Sequence, residues 1–322
     1  MIATFSRKHH YLTGPILLLL SALFGCTNLP ANSENPTVSA QVINFKTVNN
    51  RDIAVRALYP ATANEALGVI LFSHGAFSDY DLYDKVLEPW AGRGYLVLAI
   101  RHIDSPQSPL NKSVPQEAQW PLRLEDMQTS ATALSTIGEQ LSDFDLPVNT
   151  QRLIVAGHSY GGITALAMAG SKTLNLQTGQ AMDKIDLAPR AVIAMSPPGL
   201  IPKYIEKDAF AELQTPTLVQ TGTADVLPNF IPDWRLHRAA HDLSPAGDKV
   251  LAVGKDVDHY FGGLIGRFEV PGEPQVMALE DFKTLSLDFL DAYGAGDASA
   301  QARLLKAGKN GQLSEHLTVE IR

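Results

Sequence analysis

The sequence predicts an α/β domain built on an open, mostly parallel central sheet with helices on both faces. Short, near-continuous apolar runs such as GVILFSH and GYLVLAIRH have the composition of parallel strands covered on both sides. They alternate with longer stretches of helical spacing, and right-handed crossovers turn that alternation into a doubly covered sheet. At 322 residues and 45% apolar content the chain suffices for one large core, with no internal repeat or second hydrophobic core visible.

The N-terminus reads as targeting rather than fold. Arg7 and Lys8 precede YLTGPILLLLSALFG, an apolar stretch too short and too broken by Gly14 and Pro15 to span a bilayer comfortably, so residues 1–25 are expected to be a signal peptide, with an uncleaved membrane anchor as the alternative. The stretch ends in LFGC, where Cys26 is the only cysteine and so has no partner for an internal disulfide. LFGC resembles a bacterial lipoprotein lipobox, departing from it at Phe24, where a small residue is usual. The resemblance implies lipid attachment at Cys26 and a place on the periplasmic face of a bacterial membrane; plain signal cleavage is the alternative. Residues 26–40, with Pro30 and Pro36, are expected to form a flexible tether, and residues 41–322 a single domain.

Along that domain, QVINFKTV and IAVRALYP around NNRD predict an opening antiparallel hairpin. GVILFSH is a strand, DLYDKVLEPWAGR a helix and GYLVLAIRH a strand. Residues 103–119 lack periodicity and are expected to be a flap or a disordered excursion. WPLRLEDMQTSATALSTIGEQL predicts one amphipathic helix with Leu122, Leu124, Met127, Ala131, Leu134 and Ile137 on its apolar side. RLIVAG then predicts a strand, YGGITALAMAGS a helix, and RAVIAMSP and PTLVQTG two strands. PDWRLHRAAHDL predicts a helix, KVLAVG a strand, and QVMALEDFKTLSLDFLDAYG a closing helix.

Net charge is −8, and the charges are dispersed rather than gathered into basic runs, which argues against a nucleic-acid partner. Chemistry concentrates instead in VAGHSYGG. Its G-x-S-x-G follows a predicted strand and opens a predicted helix, the setting of a nucleophile elbow centred on Ser159. Small neighbours are required at such a turn, and Gly157, Gly161 and Gly162 supply them.

A serine hydroxyl needs a base and an orienting acid. Among nine histidines, His259 in VDHYFGG stands just beyond the last predicted parallel strand. Asp225 follows PTLVQTG and precedes Pro228; Asp256 and Asp258 are nearer to His259 but too close along one loop to reach its ring from the correct side. The order Ser159, Asp225, His259 is that of α/β-hydrolases. Of the other histidines, His9 and His10 lie in the signal. His237 and His241 are expected on an exposed helical face, His74 to pack beneath its loop, and His102 to line a pocket or serve structure. Oxyanion donors are expected at the backbone N–H of Tyr160 and of Ala76, with Phe77 as the alternative to Ala76. Neither a metal nor an organic cofactor is implied.

VILFSHGAFSDYDLYDKVLEPWAGRGYLVLAI, AGHSYGGITALAM, AMSPPG, TGTADVLP and DHYFGG together resemble the dienelactone hydrolase and platelet-activating-factor acetylhydrolase-like branch of the α/β-hydrolases. The likeness spans roughly residues 40–295. It implies the α/β-hydrolase fold, the triad Ser159, Asp225 and His259, and the oxyanion positions Ala76 and Tyr160. The branch includes esterases, lipases, polyester-degrading enzymes and acetylhydrolases, so a small-molecule or lipid ester is the implied substrate. Dienelactone hydrolases proper use cysteine; serine here points to ordinary ester hydrolysis. About eighteen residues separate AMSP from PTLVQTG, too few for a large cap domain. The site is therefore expected to be open and shallow, with Phe77, Tyr160, Pro197, Pro198 and Tyr260 as candidates for its rim. Amide or peptide hydrolysis by the same triad, and a non-catalytic binding module on the same scaffold, are the rival readings.

Overall fold

The computed structural model describes residues 37–62, 67–141, 148–201, 204–269 and 272–322. The expected signal segment, Cys26 and most of the expected tether lie outside the described residues. The first strand, β1 (Val38–Lys46), begins inside the span expected to be tether. Among the described residues, no helix is long and apolar enough to cross a membrane.

The chain is α/β. β1 and β2 (Asp52–Pro60) form the antiparallel hairpin. Six parallel strands follow: β3 (Leu67–Ser73), β4 (Tyr95–Arg101), β5 (Val148–His158), β6 (Ala191–Met195), β7 (Thr217–Gly222) and β8 (Lys249–Gly254). An antiparallel strand that the sequence reading did not anticipate, β9 (Leu317–Ile321), closes the far edge against β8. The order across the sheet is β1-β2-β4-β3-β5-β6-β7-β8-β9.

Successive residues of β3 explain its unbroken apolar run. Val69 and Leu71 belong to one core cluster and Ile70 and Phe72 to the other, so both faces are covered. The first cluster takes in Trp120, Leu124 and Met127 of α2 (Gln116–Thr132) and most of α4 (Tyr160–Met168). The second takes in α1 (Asp84–Gly92), α5 (Val276–Phe289) and α6 (Ala298–Asn310). The single amphipathic helix expected over residues 120–141 is two. At Ala133 the backbone leaves helical angles (φ −91°, ψ 7°), and a new helix, α3 (Leu134–Gln140), buries Leu134 and Ile137.

The chain turns left from β3 to β4 and then right, past β3, to β5. Their adjacent C-terminal ends are therefore the switch point of the sheet, where loops diverge and leave a crevice. Residues 103–114 are a run of turns beside it, pinned where the Asn111 amide donates to the carbonyls of Asp104 (2.8 Å) and Ser105 (2.7 Å), and residues 116–119 of the stretch expected to lack structure already belong to α2.

Candidate active site

Ser159 caps α4 in a backbone conformation that few non-glycine residues adopt, φ 55° and ψ −120°. Such angles cost roughly 1–3 kcal/mol and persist only where neighbours enforce them. Here the Ser159 N–H donates to the Met195 carbonyl (2.8 Å), tying the turn to the end of β6. The glycines are steric necessities: a Cβ on Gly161 would sit 1.9 Å from the Ser73 carbonyl, and one on Gly157 2.2 Å from the Gly161 carbonyl.

Asp225 and His259 meet as the loops after β7 and β8 turn towards each other. His259 Nδ1 donates to Asp225 Oδ1 at 2.6 Å, leaving Nε2 as the unprotonated nitrogen. That Nε2 is buried and has no hydrogen-bond partner among the described residues. No hydrogen bond joins it to Ser159; such contacts are often long without substrate. Asp256 and Asp258 do not reach the ring. Asp258 Oδ1 instead accepts the N–H groups of Tyr260 and Gly262, and the Asp256 N–H donates to Thr223.

His237 and His241 are not on an exposed face: both are buried. The chain after β7 brings the short helical turn Trp234–Arg238 back over the strand ends, and His237 lands against the acid. Its Nδ1 donates to the Pro197 carbonyl (2.9 Å), while Nε2 lies 3.0 Å from Asp225 Oδ1 but out of line for a hydrogen bond. Burial alone would raise the Asp225 carboxyl. The charge of His259, with the contributions of His237, overrides it and holds Asp225 well below the usual range. For His237, burial works downward, and the neighbouring Asp225 outweighs it to give a raised pKa. Asp225, His237 and His259 bring one ligand atom each within 4.8 Å of one another, the sole such group found among the described residues. The Asp225–His259 hydrogen bond already accounts for that closeness.

The loop after β3 presents a donor. Peptide N–H and C=O point in opposite directions, so whatever grips the Gly75 carbonyl also aims the Ala76 N–H. That carbonyl accepts from His74 Nδ1 (2.7 Å), Arg123 Nη2 (3.2 Å) and the Ser78 N–H (3.2 Å). Phe77, the alternative donor, is already committed: its N–H donates to Asp104 Oδ2 at 3.1 Å. The N–H groups of Ala76 and Tyr160 donate to nothing among the described residues, and both residues line one cavity with Ser159. Fully buried Arg123 organises the loop from below, forking onto Asp104 and holding the His74 carbonyl at 2.9 Å. His74 lies beneath the loop, its Nε2 accepting the His102 N–H, and burial first, then Arg123, pushes its pKa down to about 4.

The cavity has a volume of about 400 Å³. Besides the residues expected at its rim, Leu176, Ile201, Leu227 and Phe230 line it from the segments after α4, β6 and β7. Phe77, Tyr160, Pro198 and Tyr260 line it as anticipated; Pro197 does not, its carbonyl serving His237 instead. Sequence reasoning missed His237, Arg123 and Asp104. The one available signal was Arg123, a cation placed among the apolar positions of α2.

No protein-family model matches this sequence, and none of the curated proteins compared with it matches.

Proposed function

We propose that the chain is a serine hydrolase of the α/β-hydrolase fold that cleaves carboxylic esters through an acyl-enzyme. One conjunction supports this most: an aspartate-oriented histidine with its Nε2 unpaired, at the same strand ends as a strained serine flanked by two unused backbone N–H groups. Ser159 attacks the ester carbonyl while His259 Nε2 takes its proton, and the carbonyl oxygen, now an anion, accepts from the N–H groups of Ala76 and Tyr160. Asp225 keeps the proton of His259 on Nδ1 and stabilises the imidazolium that forms. Collapse of the adduct expels the alcohol, protonated by His259, and water activated by the same nitrogen releases the acid.

The part of the wall made by Leu176, Ile201, Leu227 and Phe230 favours an uncharged, apolar substituent next to the ester, while Arg267 puts a cation elsewhere on the cavity lining. A fluorophosphonate probe tests the reading, because it labels an activated serine whatever the natural substrate. Labelling and short p-nitrophenyl ester turnover are expected in the wild type and lost in Ser159→Ala. Labelling that survives the substitution would overturn the assignment. Export and a lipid on Cys26 belong to the same proposal and rest on the sequence; fatty-acid labelling abolished by Cys26→Ala is the expected result.

A further inference from the structure

The histidine inside the elbow, His158, has no part in the chemistry proposed above, yet it is fully buried and both its ring nitrogens are engaged. Its Nε2 lies 2.9 Å from the His259 carbonyl, which can only accept, so Nε2 carries the proton. Nδ1 is then an acceptor, and Tyr83 Oη, 2.9 Å away, donates to it. Tyr83 Oη in turn accepts the Gly75 N–H at 3.0 Å. Every proton in the chain has one position: Gly75 N–H to Tyr83, Tyr83 O–H to His158, His158 Nε2–H to the backbone of His259. The chain starts one residue before the Ala76 N–H and ends on the residue whose side chain faces Asp225.

We propose that Tyr83 and His158 are positioning residues, a buried hydrogen-bonded relay that holds the oxyanion loop and the base histidine in register with each other. The inference rests on the esterase reading of Ser159. Neither side chain exchanges a proton with substrate. Burial pushes the Tyr83 hydroxyl up to about 12 and, with the charge of His259 second, His158 down to about 3, so both stay neutral at working pH. The Gly75 carbonyl is anchored by His74 and Arg123 from one side of the loop, while the relay anchors the Gly75 N–H from the other. Preorganised donors of this kind gain their value from being fixed before charge develops.

The test compares kcat and KM for p-nitrophenyl butyrate among the wild type, Tyr83→Phe, His158→Ala, the double variant and His158→Gln. Tyr95→Phe serves as control: its hydroxyl is buried and donates to the Leu290 carbonyl (2.8 Å), away from the site. Tyr83→Phe and His158→Ala should each lower kcat about tenfold with KM within about twofold, and the double variant should fall no further. His158→Gln, whose amide offers both a donor and an acceptor, should recover most of the loss. Tyr95→Phe should lower the melting temperature as Tyr83→Phe does and leave kcat intact. Wild-type kcat in Tyr83→Phe, losses that multiply in the double variant, or an equal kcat loss in Tyr95→Phe would each overturn the relay. A wild-type protein with neither turnover nor fluorophosphonate labelling would overturn the esterase reading and the relay with it.

Discussion

Among the described residues, two serine–histidine–aspartate sets lie at the C-terminal ends of this sheet, and the better connected of them is the one wholly sealed from solvent. Ser73, His102 and Asp126 form an unbroken chain, with Ser73 Oγ 2.8 Å from His102 Nε2 and His102 Nδ1 2.8 Å from Asp126 Oδ2. All three are fully buried. Ser159, His259 and Asp225 share only the histidine–aspartate bond, yet Ser159 opens onto the cavity. On the proposed reading the reactive serine is therefore set apart by access, an unpaired base nitrogen and unspent donors rather than by connectivity.

Electrostatics separates the two sets in the same sense. Burial and the adjacent Arg123 push His102 well below the ordinary histidine value, so its ring is a poor proton acceptor. Burial raises the Asp126 carboxyl to about 7 despite Arg51, whereas Asp225, equally enclosed, is held low by His259 and His237. Ser73 Oγ also takes a hydrogen bond from Arg123 (3.1 Å), so the buried set is part of the scaffold under the oxyanion loop.

Paired substitutions put this contrast at risk. Ser159→Ala should reduce ester turnover by about 10⁴-fold or more, whereas Ser73→Ala should keep turnover within a few-fold. The cost of Ser73→Ala should appear instead in urea unfolding, at about 1–3 kcal/mol for the buried polar atoms it strands. Equal losses of turnover would erase the distinction between the sets. At the acids, Asp225→Asn should lower kcat by about 10³–10⁴ with the fold intact, because the amide no longer fixes the tautomer of His259. Asp126→Asn should mainly lower the melting temperature.

A subtler effect is expected at His237. Its raised pKa, produced by Asp225 against the effect of burial, keeps it more cationic than an ordinary histidine. His237→Gln takes that positive charge away from beside Asp225, so the acid limb of the kcat/KM profile should move to higher pH. An unmoved limb would mean that His237 only fills space. The smallest effects concern stability against pH. His74 and His158 have folded values of about 4 and about 3, below the ordinary 6.5. Their stabilisation is complete above 6.5 and is lost as pH falls towards those folded values. Each such histidine costs about 1.4 kcal/mol per pH unit within that window. Melts from pH 8 to 4 should show it, with a shallower slope in His158→Gln.

Much of this molecule was legible before any coordinates. The opening hairpin, the parallel strands and the helices between them followed from apolar runs and helical spacing, because strands covered on both faces must be apolar throughout. Strand β9 was missed because LTVEI is short and lies beyond what read as the closing helix. The break at Ala133 was missed because Ala–Leu carries no helix-stop signal. At the candidate site, Ser159, Asp225 and His259 could be proposed from the sequence because each follows a strand end, where chain order constrains space. His237, Tyr83 and Arg123 were not, since Asp225, His158 and Asp104 lie 12, 75 and 19 residues from them along the chain.

The sequence by itself determined the alternation of elements, the elbow glycines and the order of the three candidate residues, all of which depend on local sterics and periodicity. Only the tertiary structure decided which donor of the oxyanion loop is free, which histidine backs the acid, and which of two serines meets a cavity. Those outcomes turn on hydrogen-bond partners brought together from distant segments, and a buried polar group takes whichever partner the packing puts within about 3 Å.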